Sequence, residues 1–348
     1  KHIAKISAQY QKMLCINEDN SSVDPFETGL LLAYAYPERI AHATPGNNAQ
    51  FKLANGNVAA AGHEDDLAHE EWLSIASVNA RDGVGRIFLA SPLNPRDLAP
   101  MVKTVESISW DTKRGGFSAF SELRIGSIIL QQKPLQDYNI DQKIKAISEA
   151  IKKEGAWLLD FNPEVEQWQN RISSLRIWNK NHDWPDMSTN HLLATNYEWL
   201  SPYLSDVKKP EDLKKIELKK VLQHHLAFEL QQLLDKLAPE RINVPSGSNI
   251  KLKYETKGEA PVLAVRLQEM FGLFETPTVN NGTVKVLLHL LSPGFKPIQV
   301  TDDLNSFWNN TYYEVKKELK ARYPKHHWPD NPLEAEPLRG VKSKRSLK

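Results

Sequence analysis

The stretch Leu73-Ser-Ile-Ala-Ser-Val-Asn-Ala-Arg-Asp-Gly-Val-Gly-Arg-Ile-Phe-Leu, residues 73–89, settles what the middle of the chain is made of. Leu73 and Ile75 alternate with other residues, Ile87 and Leu89 do the same, and the glycine-bearing segment 81–85 between them supplies turn chemistry. An apolar residue at every second position marks a strand with one buried face, so this stretch predicts two strands joined by a turn. The same period extends outward. Phe51 and Leu53 precede it, Ile108 with Trp110 and Leu123 with Ile125 follow, and an apolar run covers 128–130. Asn55-Gly56 adds a turn, and 96–103 reads as a short helix between strands. At least five short strands in so compact a stretch suit a small barrel, for which the oligonucleotide/oligosaccharide-binding (OB) fold is the commonest solution. Trp110, alternating with Ile108, is placed in its core.

The flanks are helical. Residues 3–14 and 24–42 read as helices, the second opening at Asp24 with Pro25 just inside. Beyond the barrel, helices are predicted at 140–153, 163–178, 188–203 and 210–237, the last carrying Leu213, Ile216, Leu222, Leu226, Leu230, Leu233 and Leu237 near one face until Pro239 ends it. Ile250, Leu252 and Tyr254 then alternate with Lys251 and Lys253 in a strand whose polar face is cationic. A helix is predicted from Pro261 to Phe271, a strand over 284–290, and a helix from the cap Thr301-Asp302-Asp303 to Tyr323. The expected class is α+β and multidomain: a helical segment, a small OB-like β-barrel, and a mixed helical and α/β C-terminal extension.

Length and composition agree with a folded chain of two or three domains: 348 residues, 41% hydrophobic and 25% charged. No stretch approaches the roughly 20 apolar residues that cross a bilayer. The single cysteine, Cys15, excludes an internal disulfide and a multi-thiolate metal site and suits a reducing, cytoplasmic setting. The chain opens on Lys1 inside a helical pattern, so a piece of a longer protein is expected. Residues 1–200 carry 20 basic and 25 acidic side chains and residues 201–348 carry 24 and 18, a basic second half ending in Arg339, Lys342, Lys344, Arg345 and Lys348. That balance suits a polyanion, and equally a solvated tail.

Motifs for chemistry are mostly refused by the residues. No Gly-x4-Gly-Lys-Ser/Thr loop occurs, Gly83-Val84-Gly85 meets Phe88 where a dinucleotide fingerprint needs a third glycine, and His63-Glu64 meets Leu67 where a zincin needs its second histidine. Trp184-Pro185-Asp186 and Trp328-Pro329-Asp330, each closely preceded by histidine, read as turns packing a tryptophan on a core. His224 and His225 diverge by about 100° on a helix and read as one core-edge and one exposed residue. Asp302 and Asp303 are explained by capping, and Arg266 with Glu269 by an ion pair. Three places mix cations with aromatics as phosphate contact with base stacking requires: the strand with Lys251 and Lys253, the hairpin with Trp110, Lys113 and Arg114, and Arg322-Tyr-Pro-Lys-His-His-Trp. A solvated polar face explains any one of them alone.

Longer stretches carry a resemblance. Val244-Pro-Ser-Gly-Ser-Asn-Ile-Lys-Leu, Glu259-Ala-Pro-Val-Leu-Ala-Val-Arg-Leu-Gln-Glu-Met-Phe-Gly-Leu and Leu290-Leu-Ser-Pro-Gly-Phe-Lys-Pro-Ile-Gln-Val-Thr-Asp-Asp-Leu resemble the C-terminal domain of the bacterial HrpB-type DExH-box helicases. Phe307-Trp308, Tyr313-Glu-Val-Lys-Lys-Glu-Leu-Lys and Arg322-Tyr-Pro-Lys-His-His-Trp-Pro-Asp look like that family's closing signature, and Leu31-Leu-Ala-Tyr-Ala-Tyr-Pro-Glu-Arg-Ile like its helicase-associated segment. The resemblance implies that residues 1–43 end a helical ratchet domain, 44–136 form the OB-like barrel and 137–348 the family's C-terminal domain. It further implies an ATP-dependent RNA helicase parent, with ATP, Mg²⁺ and two RecA-like domains lying outside this chain. No nucleotide-binding or catalytic residue can be carried over to a position here.

The function expected is therefore an accessory RNA-binding and interaction region, not catalytic by itself and needing no cofactor of its own. Its partners would be single-stranded RNA and the upstream RecA-like core, with no membrane. The alternative is a protein-interaction platform without direct RNA contact; a hidden hydrolase built on the His-x-Trp-Pro-Asp pair is the weakest reading. The candidate nucleic-acid-binding residues are Lys52, Arg86, Lys113, Arg114, Lys251 and Lys253, each on a polar strand face or in a turn.

Overall fold

The computed structural model describes residues 2–19, 21–79 and 83–340. Arg81 and Asp82 of the turn expected at 81–85, and the tail cations Lys342, Lys344, Arg345 and Lys348, lie outside them. The chain divides into two compact units, Lys1–Ile108 with Ser118–Tyr138, and Ser109–Phe117 with Asn139–Lys348.

In the first unit, α1 (His2–Leu14) keeps its stripe of Ile6, Tyr10, Met13 and Leu14 exposed, while α2 (Pro25–Ala35) is capped by Asp24, whose carboxylate accepts the Phe26 N–H at 2.8 Å. α2 ends well before the expected residue 42, because Tyr36 precedes Pro37 and a residue before proline is driven out of the helical region. A 3₁₀ turn (Pro37–Arg39) leads directly into β1 (Ile40–Thr44), a strand the sequence concealed. It joins β2 (Asn47–Leu53), β3 (Val58–Ala60), β4 (Trp72–Asn79) and β5 (Gly85–Pro92) in a closed barrel of order β1-β2-β3-β5-β4. Ala41, Phe51, Leu53, Ala59, Leu73 and Ile75 fill it.

Leu89 departs from the simple alternation. The β4–β5 ladder pairs Ile75 with Ala90 and Val78 with Ile87, with bulges on both sides of Ser77, so Ala90 turns inward and Leu89 is left 62% exposed. Each bulge moves later side chains to the opposite face.

The later strands stay out of the barrel. β6 (Lys103–Asp111), β7 (Gly116–Ile125) and β8 (Ile128–Pro134) form a separate three-stranded sheet, introduced by a 3₁₀ helix (Pro95–Met101) near the expected helical position. Trp110 is consequently no barrel residue. It is half-buried against the core of the second unit, with Nε1–H donating to Thr112 Oγ1 at 3.0 Å.

The second unit begins with α3 (Ile140–Glu154) and α4 (Pro163–Trp178), followed by α5 (Thr189–Ala194) and α6 (Asn196–Leu200). The long helix expected over 210–237 is broken into α7 (Pro210–Lys214), α8 (Leu218–His225) and α9 (Phe228–Leu237). Leu226 and Ala227 are extended, and the Gln231 side chain donates to the carbonyls of Gln223 and Leu226, both at 2.6 Å, satisfying groups the break exposes. Both His224 and His225 are exposed, so neither is the expected core-edge residue.

The sheet of this unit has the order β15-β14-β11-β10-β9, built from β9 (Arg241–Asn243), β10 (Asn249–Lys253), β11 (Val262–Arg266), β14 (Leu287–Leu291) and β15 (Pro297–Thr301). A small hairpin, β12 (Thr278–Val279) with β13 (Val284–Lys285), interrupts it in sequence. The helix expected from Pro261 to Phe271 is instead β11 followed by a 3₁₀ turn, because Leu263 and Val265 alternate into the core while β11 pairs in parallel with β14. The chain closes through α10 (Leu304–Ser306), a π-helical turn (Phe307–Thr311) and α11 (Tyr312–Arg322); Asp303 caps this run by accepting the Ser306 N–H at 2.9 Å. Trp184 and Trp328 are buried, as their turns predicted, and Arg266 Nε lies 2.9 Å from the Glu269 carboxylate.

Candidate nucleic-acid interface

In the barrel, alternation along β2 sends Phe51 and Leu53 inward and Lys52 outward, where it stands opposite His42 and Val58. β3 carries the register across: Gln50 pairs with Ala60, and Ala60 with Arg86. Lys52 and Arg86 therefore share the outer face of the β2-β3-β5 wall. The Arg86 guanidinium lies 5.7 Å from the centre of the Phe88 ring, which is 60% exposed, so a cation and a stackable ring stand together on one strand. Phe88 gives no such signal in the sequence, where it stands out only as the residue that spoils a glycine fingerprint.

A cleft of about 500 Å³ opens beside this wall, lined by Arg39, Asn55, Asn57, Asn79 and Gly85 among others. Arg39 is fixed there: Nη1 donates to the Ala76 carbonyl at 3.0 Å, and the guanidinium lies 4.6 Å from the Tyr36 ring centre. Arg39 carries no signal in sequence, since it sits within a stretch that reads as helix.

In the second unit, Lys113 and Arg114 occupy a 3₁₀ turn (Thr112–Arg114) between β6 and β7. The Asp111 carboxylate accepts the N–H of Lys113 at 2.9 Å and of Arg114 at 3.3 Å, which folds the turn and points both side chains to solvent. Arg114 is 88% exposed, with Nε 3.5 Å from Asp111. Gly116, at φ +103°, lets the turn settle on another segment: an added Cβ would stand 2.6 Å from the Lys208 carbonyl oxygen.

Lys251 and Lys253 are exposed on β10 as expected. Lys251 stands opposite the exposed Arg241 on β9, a juxtaposition of two cations. Lys253 is engaged, its Nζ lying 2.7 Å from the Glu255 carboxylate, which pushes the ammonium pKa up. The third cation-aromatic stretch is no stacking surface. Its Trp328 is buried, donating to the Tyr323 carbonyl at 3.0 Å, and Arg322 lies 3.7 Å from Glu318. The six candidates thus fall in three places: the barrel wall, the hairpin turn and β10.

Among the described residues no group of three His, Cys, Asp or Glu side chains is placed to hold a metal ion. Among the described residues no helix is long and apolar enough to cross a membrane.

Residues 199–332 match the family model for the C-terminal domain of ATP-dependent helicases, and residues 101–135, which hold the three-stranded sheet, match that for the connector region of an ATP-dependent RNA helicase. These matches define the class: the chain carries regions characteristic of ATP-dependent helicases. It carries the connector and C-terminal domain of the HrpB family. The ATP-dependent RNA helicase HrpB of Escherichia coli K12 is 35% identical over 331 residues, covering 93% of this chain and 40% of that protein. Two solved structures agree: that of the E. coli DExH-box NTPase HrpB, with 34% identity, TM-score 0.58 and coverage of 95% of this chain and 41% of the other, and that of the E. coli DEAH/RHA helicase HrpB, with 32%, 0.51, 92% and 40%. The chain spans about 40% of the length of these relatives.

Proposed function

We propose that this chain is the accessory RNA-binding and interaction region of an ATP-dependent RNA helicase, working in the cytoplasm beside a RecA-like core that supplies ATP and Mg²⁺ chemistry, and not catalytic by itself. We divide it into the end of a helical ratchet domain, the OB-like barrel and the C-terminal domain, expected at 1–43, 44–136 and 137–348, with the first border moved ahead of Ile40 because β1 closes the barrel. The observation that carries the RNA-binding reading is the outer barrel wall, where Lys52 and Arg86 share one face with the exposed ring of Phe88. Such a wall offers phosphate neutralisation and stacking together.

Titration of labelled single-stranded RNA with the chain across a salt series tests it. Affinity should fall steeply with ionic strength, and Lys52→Ala with Arg86→Ala should flatten the log-log slope by roughly 0.7 for each phosphate no longer neutralised. An affinity unchanged after removal of all six cations would sink the reading. The protein-interaction platform would then take its place, favoured by one observation: the exposed stripe of Ile6, Tyr10, Met13 and Leu14 on α1.

A further inference from the structure

We propose that the second unit carries its own single-stranded RNA patch, with Trp157 as the stacking ring and Lys113, Lys208, Lys209 and Lys214 as phosphate contacts. The inference rests on the RNA-binding reading above and places a contact where the barrel takes no part.

Three elements of the unit converge there. The hairpin turn lies on the segment leading into α7: the Phe117 N–H donates to the Lys208 carbonyl at 2.9 Å, and an added Gly116 Cβ would stand 3.1 Å from Lys209 Cα. The same turn is tied to the end of α3, where Thr112 Oγ1 donates to the Glu154 carboxylate at 2.7 Å. α3 stops at Gly155, and in the 3₁₀ turn that follows (Ala156–Leu158) Leu158 is fully buried while its neighbour Trp157 stands 53% exposed. Lys214, at the end of α7, holds its Nζ 5.9 Å from the centre of that ring.

Trp157 is the anomaly that asks for a ligand. Among the described residues it is the tryptophan that is exposed; the others are buried or half-buried. An indole in solvent with the Lys214 ammonium beside it presents a π-face for a base and a cation for an adjoining phosphate, while the lysines of the neighbouring turn and segment supply further charge. The nearby carboxylates point elsewhere in part: Asp111 accepts the turn N–H groups, Glu154 accepts Thr112, and Asp212 accepts the N–H groups of Lys208 and Lys209 while pairing with Lys215 at 2.9 Å, whereas Asp206 and Glu211 are exposed in the same segment and offset part of its positive charge. Among the described residues, the side chains of Lys113, Lys208, Lys209 and Lys214 make no ion pair. A protein partner would call for a cluster of apolar side chains, whereas here one ring stands among cations.

The test uses the whole chain, with fluorescein-labelled oligouridine RNA followed by anisotropy across a salt series and melting temperature as the folding control. Trp157→Ala should weaken binding roughly fivefold or more, and Trp157→Phe should recover most of that loss. Lys208→Gln with Lys209→Gln should flatten the log-log salt slope by about 1.4. If these variants bind as the parent does while Lys52→Ala with Arg86→Ala weakens binding, the patch is overturned and the barrel reading stands. If the parent chain shows no salt-dependent binding, both fall. If polyglutamate shields Trp157 from fluorescence quenching by acrylamide as fully as the RNA does, the surface takes acidic peptides and the RNA assignment is overturned.

Discussion

Lys208 offers its carbonyl oxygen to the backbone N–H of Phe117 across 2.9 Å, so a hairpin turn and a helix start far along the chain share one hydrogen bond. The Phe117 ring in turn covers Lys143, whose Nζ lies 5.0 Å from the ring centre and donates to the Ser205 carbonyl at 2.5 Å. Burial holds the Lys143 ammonium pKa below its usual value.

Gly116 is the residue this junction cannot replace. Gly116→Ala combines φ +103° with a Cβ 2.6 Å from the Lys208 oxygen, and a loss of stability on the order of 1–3 kcal/mol or more is expected. Urea denaturation should show a lower midpoint at unchanged slope; stability equal to the parent's would mean the turn moves freely.

Trp110→Ala should loosen the second unit and spare the barrel. The ring is half-buried, so the loss should stay below the roughly 3–5 kcal/mol of a full core tryptophan. Hydrogen exchange would report it: amides of α3 should lose protection, those of β2 and β4 should keep theirs.

Alkaline stability should turn on Tyr254. Burial raises its pKa above the ordinary 10.0, and its hydroxyl donates to the Pro239 carbonyl at 2.7 Å. The folded state thus holds a proton that the unfolded chain releases: the stabilisation is fully present below about pH 10 and is lost as pH climbs from there toward the raised value. Tyr312, raised by burial in the same way, adds to this slope. Tyr254→Phe should lose about 1 kcal/mol near neutral pH and show a shallower fall in melting temperature from about pH 9 to pH 11.

On β10 the two lysines should behave differently toward RNA. Lys251→Ala should flatten the salt slope, because Lys251 and Arg241 stand opposite each other and, among the described residues, neither is in an ion pair. Lys253→Ala combined with Glu255→Ala should leave the slope where it was, since the two groups neutralise each other at 2.7 Å. Equal effects would mean that the pair opens on binding.

The barrel is legible where alternation is clean, as at Phe51 to Leu53 and Leu73 to Ile75. It is illegible where the backbone breaks its own period: no propensity marks the bulges at Ser77 that turn Leu89 outward, and β3 is too short to show a period at all. β11 passes for a helix because Val262 to Arg266 looks apolar at either spacing until its partner β14 is known. The six cations stand out as exposed residues from local pattern alone. Their neighbours do not, because the approach of Lys208 to Gly116 and of Lys214 to Trp157 is made by long-range packing that leaves no trace in local sequence.

The borders of the five-stranded sheet have one more consequence. β9 is three residues long, lies between Pro239 and Pro245 and carries the exposed Arg241; β15, at the other border, begins with Pro297, which has no N–H to offer. Neither border presents the long, flat, uncharged row of donors and acceptors on which a foreign strand could grow, so a sheet with two open sides is guarded against fibrillar self-assembly.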